Sequence, residues 1–129
     1  MKKLLCILLV FAISACTHLT KQEQDDLHQL KMRGIDVDHA GSFDRPANPA
    51  VAGVLNILPG FGNFYLAAGN GGDSMHWLYG ALNLLTWPIS IVWGIPEAAI
   101  DANKINEREM IYYYKYPSTP SFTMPYTRY

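Results

Sequence analysis

A mainly α-helical chain organised around a broken hydrophobic hairpin is the fold class this sequence predicts, on three observations. Residues 51–99 carry only Asp73 and Glu97 as charges. Two apolar runs make up most of it, 27 uncharged residues from Pro46 to Gly72 and 23 from Ser74 to Pro96. At about 1.5 Å per residue, each is long enough to exceed a hydrocarbon core of roughly 30 Å. Proline and glycine interrupt both, at Pro59-Gly60, Gly62 and Pro88, which favours short helices over 50–58, 63–68, 75–87 and 89–94. Around the hairpin the sequence predicts a signal peptide, a short polar helix, an amphipathic C-terminal helix and a short Tyr-rich extended segment. The divisions are 1–15, 16–49, 50–96 and 97–129.

The N-terminus reads as an export signal. Lys2 and Lys3 form its positive region, residues 4–13 its apolar region, and Ser14 and Ala15 the small residues before a cleavage point. Cleavage there removes Cys6 and leaves Cys16 as the single cysteine of the mature chain, so no disulfide forms within it. Ile13-Ser14-Ala15-Cys16 resembles the lipobox of bacterial lipoproteins. The resemblance implies that Cys16 becomes the acylated first residue, carrying chains such as palmitate. Each buried methylene contributes about 0.8 kcal/mol, so a multiply acylated terminus anchors stably to membrane lipid. In Gram-negative lipoproteins an aspartate after the cysteine commonly holds the protein at the inner membrane. Thr17 stands there instead, which leaves the outer membrane open.

Residues 17–45 are solvated, with four basic and six acidic side chains. Thr20-Lys21-Gln22-Glu23 has the capping-box spacing, and Gly34 stands where a C-terminal cap belongs, which predicts a helix over 21–33. Its apolar content is thin, essentially Leu27 and Leu30, so it frays unless it lies on the hairpin or on lipid headgroups. Gly41, Ser42, Pro46, Asn48 and Pro49 mark 34–50 as a linker, with a short extended piece at 35–37. Drawn out, such a linker would hold the hairpin tens of ångströms from the lipidated end.

Within the hairpin, His76, Gly80, Asn83 and Trp87 recur at the spacing of one helical face, while Leu78, Leu82 and Leu85 lie on another. Helices pack in lipid through small residues and side-chain hydrogen bonds, so Gly80 and Asn83 are expected to face the first run, at Asn56 or Asn63. Trp77, Tyr79, Trp87 and Trp93 suit an interfacial belt. Pro96 suits the first turn of a new helix that ends near Glu109, with Ile95, Ala98, Ala99, Ala102 and Ile105 on one face. Residues 111–116 are β-formers and read as a strand.

Pro59-Gly60-Phe61-Gly62-Asn63-Phe64-Tyr65, followed by Gly69, Trp93 and Asp101, resembles the two-transmembrane-helix domain family. In that family a glycine-rich segment ending in an aromatic pair closes the first helix, and a Trp and then an Asp mark the second. Asn63 stands where a basic residue often precedes the aromatic pair. The resemblance implies membrane insertion and accessory function. The contact residues it singles out, with the polar face, are Pro59, Gly60, Gly62, Asn63, Tyr65, Gly80 and Asn83.

The residues lack the patterns of catalysis and cofactor binding. Ten basic residues against eleven acidic ones offer no cationic field for nucleic acid. His18, His28, His39 and His76 have no metal-ligand spacing, and acylation removes the one thiolate. Asp36, Asp38 and Gly41 fall short of a calcium loop, because Ala40 and Ala47 stand at ligand positions. Gly60-Phe61-Gly62 lacks the third glycine of a dinucleotide site, and Ser74 near His76 lacks a nucleophile elbow. The expectation is a membrane-anchored envelope lipoprotein that is not an enzyme and has no cofactor, a structural or accessory subunit on the periplasmic or outer face. Thr17 favours the outer membrane and the hairpin favours the inner one. Its partners would be membrane lipid, itself or a larger membrane protein. The alternative is a tethered lipid- or hydrophobe-binding module, and a hydrolase using Ser74, His76 and Asp101 stands behind both.

Overall fold

The computed structural model describes residues 17–69 and 72–116. The signal peptide, Cys16 and the proline-rich tail from Pro117 lie outside them. The described chain is mainly helical, as the sequence predicts, and contains no strand. Its helices are α1 (Lys21–Met32), α2 (Pro49–Leu55), α3 (Phe61–Ala68), α4 (Met75–Leu85) and α5 (Ile91–Lys115).

Local chemistry sets both ends of α1. Thr20 Oγ1 accepts from the Glu23 amide at 3.3 Å, and Glu23 Oε2 accepts from the Thr20 amide at 2.7 Å, the two halves of a capping box. At the other end Gly34 takes a φ of 77°. The Ile35 amide reaches the Leu30 carbonyl and the Gly34 amide the Lys31 carbonyl, each at 3.0 Å, a Schellman closure that needs a residue without a Cβ at its pivot. Leu27 and Leu30 pack with Leu19, Ala40, Met110 and Ile111. The thin helix is therefore held by the far half of α5 and not by the hairpin.

Residues 35–48 are neither a strand nor an extended tether. Ile35, Val37 and Phe43 lie over the same core cluster, and the backbone is tied to α5 at several points. Tyr114 Oη donates to the Ala40 carbonyl at 2.7 Å. Asn106 brackets Ala47, accepting from its amide at 3.0 Å and donating to its carbonyl at 2.7 Å. These bonds satisfy backbone groups that would otherwise need water, and they fold the segment back on itself.

The hairpin breaks where glycine and proline require it, with boundaries shifted slightly from expectation. Asn48 caps α2, its side chain accepting from Ala50 and Val51 amides at 3.0 and 3.2 Å, and Pro49 takes the first helical position. Gly60, at φ 84°, lets α3 begin at Phe61, two residues earlier than 63. The helix α4 stops at Leu85, where Thr86 Oγ1 donates to the Leu82 carbonyl at 2.9 Å.

The largest departures are in α5. Pro96 does not open a new helix; it lies inside a continuous one, so the division at 96/97 falls in mid-helix. The expected strand over 111–116 is also absent, because 111–115 are helical. Met110, Ile111 and Tyr114 meet the α1 cluster at helical spacing, and that burial overrides the β preference of the tyrosines. At 25 residues and about 1.5 Å each, α5 is roughly 37 Å long and carries both core clusters. The second comprises Ala47, Ala52, Leu66, Ala98, Ala102 and Ile105. Among the described residues no helix is long and apolar enough to cross a membrane.

Candidate functional site

The helices α2 to α5 approach one another through glycine. A Cβ on Gly60 would fall on the Gly80 carbonyl, one on Gly80 would overlap the Phe64 ring, and one on Gly62 would meet the Ala52 carbonyl. Interiors packed this closely leave no slack for a methyl group.

Polar side chains line the interior these contacts enclose. Asn56, Asn63, His76, Asn83, Ser90, Glu97, Asp101 and Asn106 are all buried, with Asn63, His76 and Asp101 at 0% exposure. Asn83 is a hub: its amide donates to Asn63 Oδ1 at 3.4 Å, its Oδ1 accepts from Trp93 Nε1 at 3.2 Å, and its carbonyl accepts from Ser90 Oγ at 2.7 Å. Asn56 Oδ1 accepts from the Gly62 amide at 3.1 Å. Such bonds offset desolvation costing roughly 1–3 kcal/mol per unsatisfied group.

The exterior of the same helices is apolar. Leu85 is 80% exposed and Val92 79%, and Val54, Ile57, Leu58, Phe61, Trp77, Leu78, Leu84, Trp87 and Ile89 are exposed with them. Asn56, at the end of α2, lies against Gly94 near the start of α5, so the 56–60 and 86–90 turns share one end of the bundle. At the other end Gly72, Asp73 and Ser74 line a cleft with Thr20, Glu23 and Arg108. The molecule thus has an apolar tip and a charged end.

Near the charged end His76 and Asp101 converge on Thr17. The Thr17 amide donates to Asp101 Oδ1 at 2.7 Å, and Thr17 Oγ1 lies 3.1 Å from His76 Nε2. His76 Nδ1 and Asp101 Oδ2 are 3.9 Å apart, and neither has a hydrogen-bond partner. This contact is too long for a hydrogen bond. Burial lowers the His76 pKa and pushes Asp101 up to about 6, so the imidazole is held neutral and the contact is not an ion pair. Burial, with Asp101 nearby, also pushes Glu97 up to about 7.

Of the contact residues predicted from sequence, Gly60, Gly62, Asn63, Gly80 and Asn83 meet inside the chain's own bundle and present nothing to a partner. Tyr65 Oη accepts from the Asn48 amide at 3.0 Å and its ring packs on the second cluster. Pro59 is half-buried in the α2–α3 turn. Trp87 departs from the polar face it was grouped with and is exposed at the tip. Ser74 is exposed, and it is Thr17, not Ser74, whose hydroxyl meets His76. Among the described residues no group of three His, Cys, Asp or Glu side chains is placed to hold a metal.

Sequence reading missed two features. Glu97 is read there as one of the two charges in residues 51–99, although an acid in so apolar a stretch is itself a signal of a buried polar role. Thr17 gave no signal, because its partners lie 59 and 84 residues away. Comparison with known proteins finds no matching family model, curated protein or solved structure.

Proposed function

We propose that this chain is a bacterial envelope lipoprotein, acylated at Cys16, whose hairpin inserts into one leaflet as a re-entrant wedge, and that it serves as a structural or accessory subunit and not as an enzyme. The observation that carries this reading is the inverted polarity of residues 51–100, with asparagines, His76 and Glu97 inside and large apolar side chains outside. In water that exterior would be a large apolar patch of the kind that marks a membrane or partner surface. In lipid it is the expected arrangement, because only internal partners can satisfy polar groups there.

Length favours a wedge over two spans. The 11 residues of α4 reach roughly 16 Å, about half of a 30 Å hydrocarbon core. Both turns at the tip are apolar and the other end is charged, so insertion from one face keeps every charge of the α1 region in water. A wedge buries less apolar surface than two spans, which eases transfer to the outer membrane. The alternative, a tethered hydrophobe-binding module, is less well supported, since the bundle interior is closed by the Gly60–Gly80 contact and lined by asparagines.

The test is depth-resolved quenching. Full chain in vesicles of lipids brominated at different acyl positions should show Trp87 quenched most strongly by bromines in the middle of one leaflet. Trp87 emission that is unquenched and solvent-like would overturn the wedge. Release of a mature Cys16→Ser form, beginning at residue 16, as a soluble monomer without detergent would favour the binding module.

A further inference from the structure

The polar interior is not uniform. Around Asn83 the side chains of Asn63, Ser90 and Trp93 converge from other parts of the hairpin and bond to it, with Asn63 Nδ2 left without a partner. The His76–Asp101 pair does not close in that way. Among the described residues, the hydrogen bonds these two side chains make all go to Thr17: Asp101 Oδ1 takes its amide and His76 Nε2 meets its hydroxyl. The remaining atoms of the pair, His76 Nδ1 and Asp101 Oδ2, are buried without partners. A leucine at either position would spare the bundle this cost. Beyond the edge contact of His76 with Tyr79, the polar contacts of the pair depend on residue 17.

The next residues are pinned as well. Arg108 Nη2 donates to the His18 carbonyl at 3.2 Å and Gln24 Nε2 to the Leu19 carbonyl at 2.9 Å, while Leu19 is buried in the α1 cluster. Three successive residues are thus held by α1, α4 and α5. The position is also particular. Before Asp101 the outward side chains of α5 include Val92 and the half-exposed Ile100; after it come Asn103 and the part-exposed Lys104, with Glu107 and Arg108 largely covered. Thr17 is bound where the apolar face gives way to the charged one, and it lines a groove between α1 and α5 together with Leu27, Ile100 and Lys104.

We propose that His76 and Asp101 form a docking seat for the acylated end of the chain. By gripping Thr17, the residue bonded to Cys16, they fix the lipid anchor at the polar–apolar boundary and direct its acyl chains along the Ile100 face into the leaflet that holds the hairpin tip. This rests on the acylation of Cys16. The occupant is the diacylated cysteine of the same chain, and the seat converts a flexible tether into one insertion unit with two parts.

Two measurements on the full chain in detergent micelles and vesicles test the seat separately from acylation. In the Cys16→Ser form, which carries no lipid, hydrogen exchange at the residue 17 amide should be about a hundredfold slower than in an open chain. Asp101→Leu should abolish that protection while α4 amides stay protected. Thr17→Val, at the edge of the fold, should lose about tenfold, and it keeps the test decisive if Asp101→Leu fails to fold. An unprotected residue 17 amide beside protected helices would overturn the seat. In the acylated form, cells fed a photoreactive fatty acid should yield adducts on the α5 peptide containing Ile100, reduced severalfold by Asp101→Leu. Adducts on lipid alone, or a pattern unchanged by the substitution, would also overturn it. No incorporation at Cys16 would instead remove the lipoprotein reading, and with it the acyl part of the seat, while the exchange result still decides whether residue 17 is gripped.

Discussion

The two halves of α5 belong to oppositely built regions. Its C-terminal half packs with α1 and the 35–48 segment, where Leu19, Leu27, Leu30, Met110 and Ile111 are inside and most charged pairs lie outside, Glu23–Arg108 being the covered exception. The pairs include Lys115–Asp26 at 2.8 Å and Arg45–Asp38 at 2.9 Å. Its N-terminal half packs with α2, α3 and α4, where the asparagines are inside and leucine, valine and tryptophan outside. Both regions are helical and share a helix, so secondary structure does not separate them. What separates them is which class of side chain is given partners: the first region assumes water outside and the second does not need it.

Substitutions that strain the second region should have the largest effect. Gly80→Leu places a branched side chain where even a Cβ overlaps Phe64. We expect a loss of about 3 kcal/mol or more, with collapse of the α3–α4 contact. Thermal unfolding in detergent, followed by helical circular dichroism, would show it, and an unchanged midpoint would contradict the close approach.

The comparison itself is broken or sharpened by one pair of changes. Leu85, 80% exposed, and Met32, 70% exposed, are nearly equal by accessibility but lie in opposite regions. In the Cys16→Ser form, Leu85→Asp should weaken vesicle partitioning by about 2 kcal/mol, a roughly thirtyfold drop, whereas Met32→Asp should leave it unchanged. Equal effects would mean that both surfaces face the same solvent.

A pH titration reads a third effect. Burial raises Glu97 from 4.5 to about 7 and Asp101 from 3.8 to about 6, so the folded chain holds protons that the unfolded chain has released. The stability these neutral acids contribute is therefore full below the unfolded values and falls as pH rises through about 6 to 7. His76, lowered by burial, acts in the opposite sense below its free value, so the difference is what is read: the thermal midpoint of the unaltered chain should decline between pH 4.5 and 8 relative to that of Glu97→Gln. The α1 region offers the smallest change: Thr20→Ala removes one half of the capping box and should cost about 1 kcal/mol in the same melts.

Legibility in the sequence follows the same division. The α1 caps were readable because Thr20, Glu23 and Gly34 act on neighbours within one turn. The breaks at Gly60 and after Leu85 were readable within two residues because glycine and proline act locally. Helical continuity through Pro96 was not, since Ala98, Ala102 and Ile105 hold that segment through packing on α2 and α3. Helix over 111–115 was hidden for a similar reason, as Ile111 and Tyr114 are held by residues some seventy positions away. The expected facing of Gly80 and Asn83 toward the first run matches the geometry, with Asn63 the partner of Asn83 and Phe64 lying against Gly80. The grip on Thr17 had no local signature.

The unbroken run of α5 through Pro96 has a mechanical consequence. A helix of 25 residues extends roughly 37 Å, packed on α1 at one end and on α2 to α4 at the other, and Pro96 removes one backbone hydrogen bond within it. On the proposed insertion, a push on the α1 region would reach the bilayer through this one helix, with Pro96 the place where it could bend.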